Sequence, residues 1–109
     1  MRGFAKVRAA QPTLLSATIV SVETDLSRGL YSYSMVGLPD KAVEEARDRV
    51  SAAIKHAGFD SPKSQNHKVT ISLAPAELKK EGAYFDLPIA LSYLLAADAV
   101  SFDPSNKLF

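Results

Sequence analysis

Hydrophobic and polar positions alternate most strictly at Lys68–Leu73. There Val69, Ile71 and Leu73 fall on one side and Lys68, Thr70 and Ser72 on the other. A period of two marks a strand with one face buried and the other meeting water or a partner. Phe4 to Ala10 alternates more weakly, Ala5, Val7 and Ala9 against Phe4, Lys6 and Arg8, until Gln11-Pro12 breaks it. Ser16 to Thr24 is rich in β-branched residues and predicts a further strand. Asp25 to Gly29 reads as a turn: Asp25 and Ser27 can bond nearby backbone, and Gly29 can reach positive φ. Tyr31, Tyr33 and Met35 then alternate with Ser32 and Ser34, so the strands flanking this turn read as a hairpin.

Two segments switch to a helical period. From Lys41 to Ala57 the apolar residues Ala42, Val43, Ala46, Val50, Ala53, Ile54 and Ala57 form one stripe, with charged residues opposite. Asp40 suits the N-cap, Pro39 suits a first helical position, and Gly58 is a natural stop. The second helix, about Leu87 to Ala97, is apolar almost all round and reads as buried. Leu87, Ala90, Leu91, Leu94 and Leu95 are its stripe, Ile89 widens it, and Asp86 is its expected N-cap. Between Pro75 and this helix lies the densest polar cluster, Glu77, Lys79, Lys80 and Glu81 with Gly82. The tail ends on the apolar pair Leu108-Phe109, which suggests a strand beginning or being cut there. The order is β-β-β-α-β-α, and the economical packing is a two-layer α/β (α+β) sandwich with both helices on one face of one sheet.

Composition narrows the chemistry. A chain of 109 residues is one domain. A net charge of +1 lacks the strongly basic signature of a dedicated nucleic-acid binder but permits a local basic patch. With no cysteine there is no disulfide or thiolate site, and a reducing cytoplasm is compatible. The N-terminus lacks the apolar run of a signal peptide, and the longest apolar stretch falls short of the roughly 20 residues that span a bilayer.

None of the familiar catalytic constellations is complete. The glycines fit neither a P-loop nor a dinucleotide fingerprint. His56 and His67, eleven residues apart, are poor metal ligands without cysteine partners. Ser92 with Lys79 or Lys80 can be imagined as a nucleophilic pair, but Ser92 lies more than a turn inside the helix, away from oxyanion donors. What remains is a basic rim of Lys63, Lys68, Lys79 and Lys80, candidate contacts for DNA or a neighbouring subunit. Glu77 and Glu81 dilute its field, which equally suits solvated lysines. The structural positions are Gly29, Asp40, Gly58, Gly82 and Asp86.

VGLPDKAVEEARDRVSAAIKHAGF (Val36–Phe59), ISLAPAELKKEG (Ile71–Gly82) and FDLPIAL (Phe85–Leu91), preceded by VETDLSRGL (Val22–Leu30), closely resemble the N-terminal domain of the magnesium-chelatase-like AAA+ ATPases, the YifB/ComM family. The resemblance covers nearly the whole chain. It implies the fold of the second domain of ribosomal small-subunit protein five and of the Lon protease domain. It further implies a cytoplasmic, hexameric parent, a helicase promoting branch migration in recombination and natural transformation. ATP and Mg would be bound in the parent's AAA+ module, and this domain would carry no cofactor or catalytic residue. Its partners would be that module, other subunits and DNA, with no membrane. The family continues with a glycine-containing strand before the ATPase, so the resemblance implies a domain cut before its last strand. A degenerate Lon-like peptidase is the enzymatic alternative, but the loop where Lon keeps its serine reads GAYFD here. A purely structural subunit-interaction module is the other.

Overall fold

A computed structural model describes residues 3–12, 16–38, 40–62, 66–75, 85–105 and 107–109. Strands β1 (Gly3–Pro12), β2 (Ala17–Arg28) and β3 (Ser32–Val36) are followed by helix α1 (Asp40–His56), strand β4 (His67–Ala74) and helix α2 (Asp86–Ala96). The element order is the one expected, and the architecture is the two-layer sandwich.

The sheet runs β1-β2-β4-β3. β1 and β2 form a long antiparallel hairpin, from Gly3 opposite Leu26 to Pro12 opposite Ala17. β4 lies between β2, which it pairs antiparallel, and β3, which it pairs parallel. The expected hairpin of β2 with β3 is therefore incorrect. β2 continues through Asp25 and Ser27 as far as Arg28, because the inward series Val20, Val22, Thr24 extends to Leu26, which is fully buried. Burying one leucine is worth about 1.5–3 kcal/mol, more than a local side-chain bond in a turn returns. β4, the cleanest strand in the sequence, takes one of the two central places, where both edges are paired.

Val7, Val20, Val22, Leu26, Val69, Ile71 and Leu73 point from the sheet to the helices and meet Val50 and Ile54 of α1 and Phe85, Ile89 and Tyr93 of α2. In α1 the buried line is Ala46, Val50 and Ile54, while Ala53 and Ala57 are exposed. α2 departs further from expectation. Its buried residues include Ile89, Ser92, Tyr93, Leu94 and Ala96, whereas Leu87 is 60% exposed and Ala90, Leu91 and Leu95 are half-buried. A helix apolar on nearly every side has no stripe, so its sequence does not tell which side meets the sheet. Phe85 occupies the N-cap position with no side-chain cap bond, and Asp86 is the first helical residue. The Asp86 carboxylate instead receives Arg49 Nε at 2.6 Å and Nη2 at 3.1 Å, tying α2 to α1. α1 starts at Asp40, but Pro39 and the Asp40 side chain lie outside the described residues.

Both helices close with the same device. After α1, Gly58 N–H reaches the Lys55 carbonyl and Phe59 N–H the Ile54 carbonyl, with Gly58 at φ +93°. After α2, Asp98 N–H reaches Leu95 and Ala99 N–H reaches Leu94, with Asp98 at φ +60°. These are Schellman turns, and each needs a left-handed residue. Along the tail, Phe109 N–H donates to the Arg8 carbonyl on the outer edge of β1, and Phe102 packs edge-on against Phe109.

The two turns predict opposite responses. A Cβ at Gly58 would meet nothing within 4 Å, so Gly58→Ala isolates the backbone cost and should destabilise by about 1 kcal/mol. Asp98→Gly relieves that cost and removes an anion from a helix C-terminus, a gain of about 0.5 kcal/mol. Urea midpoints at constant slope measure both.

Candidate nucleic-acid interface

The residues proposed from sequence separate into three groups. Lys63, Lys79, Lys80 and Gly82 lie outside the described residues. Lys68 is exposed on β4, on the side of the sheet away from the helices. Gly29 and Gly58 close turns, and Asp86 joins the helices.

Ser92 has no access to a substrate. It is fully buried and sits 2.6 Å from the equally buried Thr24 hydroxyl. Its own proton goes to the Ile89 carbonyl at 3.0 Å, so Thr24 donates to Ser92. The pair satisfies two hydroxyls that the α2–β2 contact would otherwise strand. His56 is exposed at the end of α1, His67 is buried at the start of β4, and no three His, Cys, Asp or Glu side chains cluster among the described residues. Tyr31, Tyr33 and Tyr93 lie beneath α1. Burial, then proximity to Tyr31, pushes the Tyr33 phenol well above its ordinary range, with Arg47 opposing. Its hydroxyl is sealed without a hydrogen-bond partner. A cleft of about 380 Å³ opens between Tyr31, Ser61 and α1, but its cations Arg47 and Lys55 share it with Asp48, which lies 3.5 Å from Arg47.

The open face of the sheet is chemically uneven. Register sets Ser27, Lys68 and Ser32 side by side across β2, β4 and β3, and Asp25, Thr70 and Ser34 in the next row. Neighbouring strands lie about 4.8 Å apart, so each row brings its hydroxyls within reach of one extended ligand. Arg28 is exposed at the end of β2, but its alternation with Leu26 and its register with buried His67 set it on the helix side. On β1 the same face carries Phe4, Lys6 and Arg8, but Lys6 is 4.0 Å from Glu23. Residues 26–39 and 61–76 contain Arg28, Lys63 and Lys68 and no carboxylate. The β2–β4 and β3–β4 ladders, with a bond from Gly29 N–H to the Asn66 carbonyl, bring these two segments together. Among the described residues the result is an exposed surface of hydroxyls around Lys68, bordered by Asp25. Hydroxyls and cations on a backbone-defined grid suit an extended polyanion.

Comparison with known proteins places this geometry. The family described as subunit ChlI of Mg-chelatase matches residues 22–109. An uncharacterized protein YifB of Escherichia coli (strain K12) is 46% identical over 94 residues, 86% of this chain and 17% of that protein. The competence protein ComM of Haemophilus influenzae is 46% identical over 84 residues, 77% of this chain and 16% of that protein. The chain therefore spans about one sixth of the length of these curated relatives. A crystal structure from Thermus thermophilus superposes with a TM-score of 0.58 at 17% identity, covering 90% of this chain and 16% of that one, which shows a shared fold.

The buried hydroxyl pair is testable. Ser92→Ala leaves Thr24 without its acceptor and should cost about 1–3 kcal/mol in unfolding free energy. Adding Thr24→Val should recover much of that loss, so a double-mutant cycle reads a favourable coupling between the two positions. Tyr33→Phe, which deletes an unpartnered hydroxyl, should be neutral or stabilising.

Proposed function

The chain belongs to the ChlI family of Mg-chelatase-like proteins, and from that membership we propose that it is the non-catalytic N-terminal module of a YifB/ComM-like AAA+ ATPase, engaging DNA through the open face of its sheet. The observation that carries this reading is the open face formed by Ser27, Ser32, Ser34, Lys68 and Thr70, with Asp25 at its border. Cations neutralise phosphates and release counterions, while hydroxyls and backbone groups fix the position of the strand. The name of one relative, a competence protein, fits a role in handling incoming DNA. The parent is then a hexameric ATP-dependent helicase acting in recombination and natural transformation in the cytoplasm. ATP and Mg belong to its AAA+ module, and this domain contributes grip and geometry. The peptidase alternative finds no support in a Ser92 that is sealed in the core. Among the described residues no helix is long and apolar enough to cross a membrane.

One observation favours a scaffold role alongside DNA contact: α2 keeps Leu87 exposed and Leu91 and Leu95 half-exposed on its outer side. A helix apolar all round belongs in the interior of a larger assembly. The AAA+ module or a neighbouring subunit is the partner this face would meet.

DNA affinity across a salt series tests the main reading. Lys63→Ala and Lys68→Ala should each weaken binding to any sequence and reduce the log–log salt slope by about 0.7–0.9. Lys79→Ala with Lys80→Ala tests the loop before α2 in the same way. A double Lys63/Lys68 variant with unchanged affinity and slope sinks the interface. A Leu87→Ser/Leu91→Ser variant that alters assembly but leaves DNA affinity intact separates the scaffold surface from the DNA surface.

A further inference from the structure

β3 is an edge strand: it pairs with β4 on one side, and among the described residues no strand pairs its other side. The two edges of the sheet differ in kind. β1, at the far edge, carries Lys6 and Arg8, ends on Pro12, and gives the Arg8 carbonyl to the Phe109 N–H. Charge, proline and cover of this sort keep an edge from pairing with another chain. β3 has neither charge nor proline. Tyr31 to Leu38 is uncharged throughout, and Gly37, at φ +106°, turns the backbone only after the strand is complete. Ser32, Ser34 and Val36 are exposed, while Tyr33 and Met35 are half-buried against the core.

We propose that the free edge of β3 is a homotypic docking site, pairing antiparallel with β3 of a second copy about a two-fold axis at Ser34. That register sets Ser34 opposite Ser34, Ser32 opposite Val36 and Tyr33 opposite Met35. Side chains directly opposite one another in an antiparallel pair are in contact, so the helix side gains two thioether–aromatic pairs. Unpaired backbone N–H and C=O groups of both strands gain partners, and no charge is desolvated. The occupant follows from the same observations. Charge, which usually selects a foreign partner, is missing from this edge, so its specificity lies in the match of the strand with itself. A surface facing its own copy across a two-fold must be self-complementary. The cleft beside the start of β3 meets this requirement too, since Arg47 and Lys55 share it with Asp48. An isologous contact closes with two copies, so in a hexameric parent it would join one ring to another. The pairing is independent of DNA binding.

The test is the molecular mass of the 109-residue chain, measured by sedimentation across a concentration series. Mass should rise from monomer to dimer in one reversible step. Ser34→Lys and Ser34→Asp each put like charges opposite one another at the axis, and each should raise the dimer dissociation constant at least tenfold. An equimolar mixture of the two variants sets opposite charges across the axis and should restore the dimer. Arg8→Ser, on the far edge, should leave the constant unchanged. A cooperative thermal transition in each Ser34 variant, expected because that side chain is exposed, shows that the loss is at the interface. A monomer at every concentration overturns the proposal. So does a dimer that ignores both Ser34 substitutions, or one that fails to re-form in the mixture.

Discussion

The structure depends on β4, a strand that must have both edges paired while only one of its faces is apolar. Val69, Ile71 and Leu73 require cover on one side, and Lys68 and Thr70 exclude it on the other. Backbone pairing on both edges brings β2 in from one flank and β3 from the other. Parallel pairing with β3 requires a crossover longer than a hairpin turn, which α1 supplies. The helices can then lie only over the apolar face. A two-layer molecule with one bare sheet surface follows from the polarity of a single strand.

The helical layer is held by contacts of a different kind. α2 has too little amphipathicity to orient itself, so specific contacts select its rotation. Phe85 and Ile89 are fully buried, and the Thr24–Ser92 pair fits only when Ser92 faces β2. Any other rotation strands Thr24 against an apolar helix, at a cost of about 1–3 kcal/mol. Arg49 to Asp86 fixes the start of α2 against α1. The pair is partly exposed, so its contribution lies in geometry more than in stability.

These two levels explain what the sequence reveals and what it conceals. β1, β4 and α1 are legible because each carries a regular period, and the two-layer class follows from their order. The neighbours of β4 are not legible. Asp25, Ser27 and Gly29 have turn chemistry, and only the burial of Leu26 shows that the strand runs on. The α2 face is hidden for the opposite reason, since uniform hydrophobicity erases the phase. Among the site residues, Lys68 is identifiable from alternation alone. The hydroxyls of Ser27 and Ser32 become its neighbours only when the register sets them on either side of it.

A net charge of +1 says little about the chemistry of any one face. Thirteen basic and twelve acidic residues produce almost no field when evenly spread. They are not evenly spread. Residues 26–39 and 61–76 hold three of the cations and none of the carboxylates, which leaves the rest of the chain net negative. At physiological salt a charge is felt over roughly 8 Å, so anything meeting the open face responds to side chains such as Lys68 and Asp25 and not to the molecular total. The total charge of a near-neutral domain is therefore a poor guide to what its faces attract, and the placement of a few side chains by the sheet register decides it.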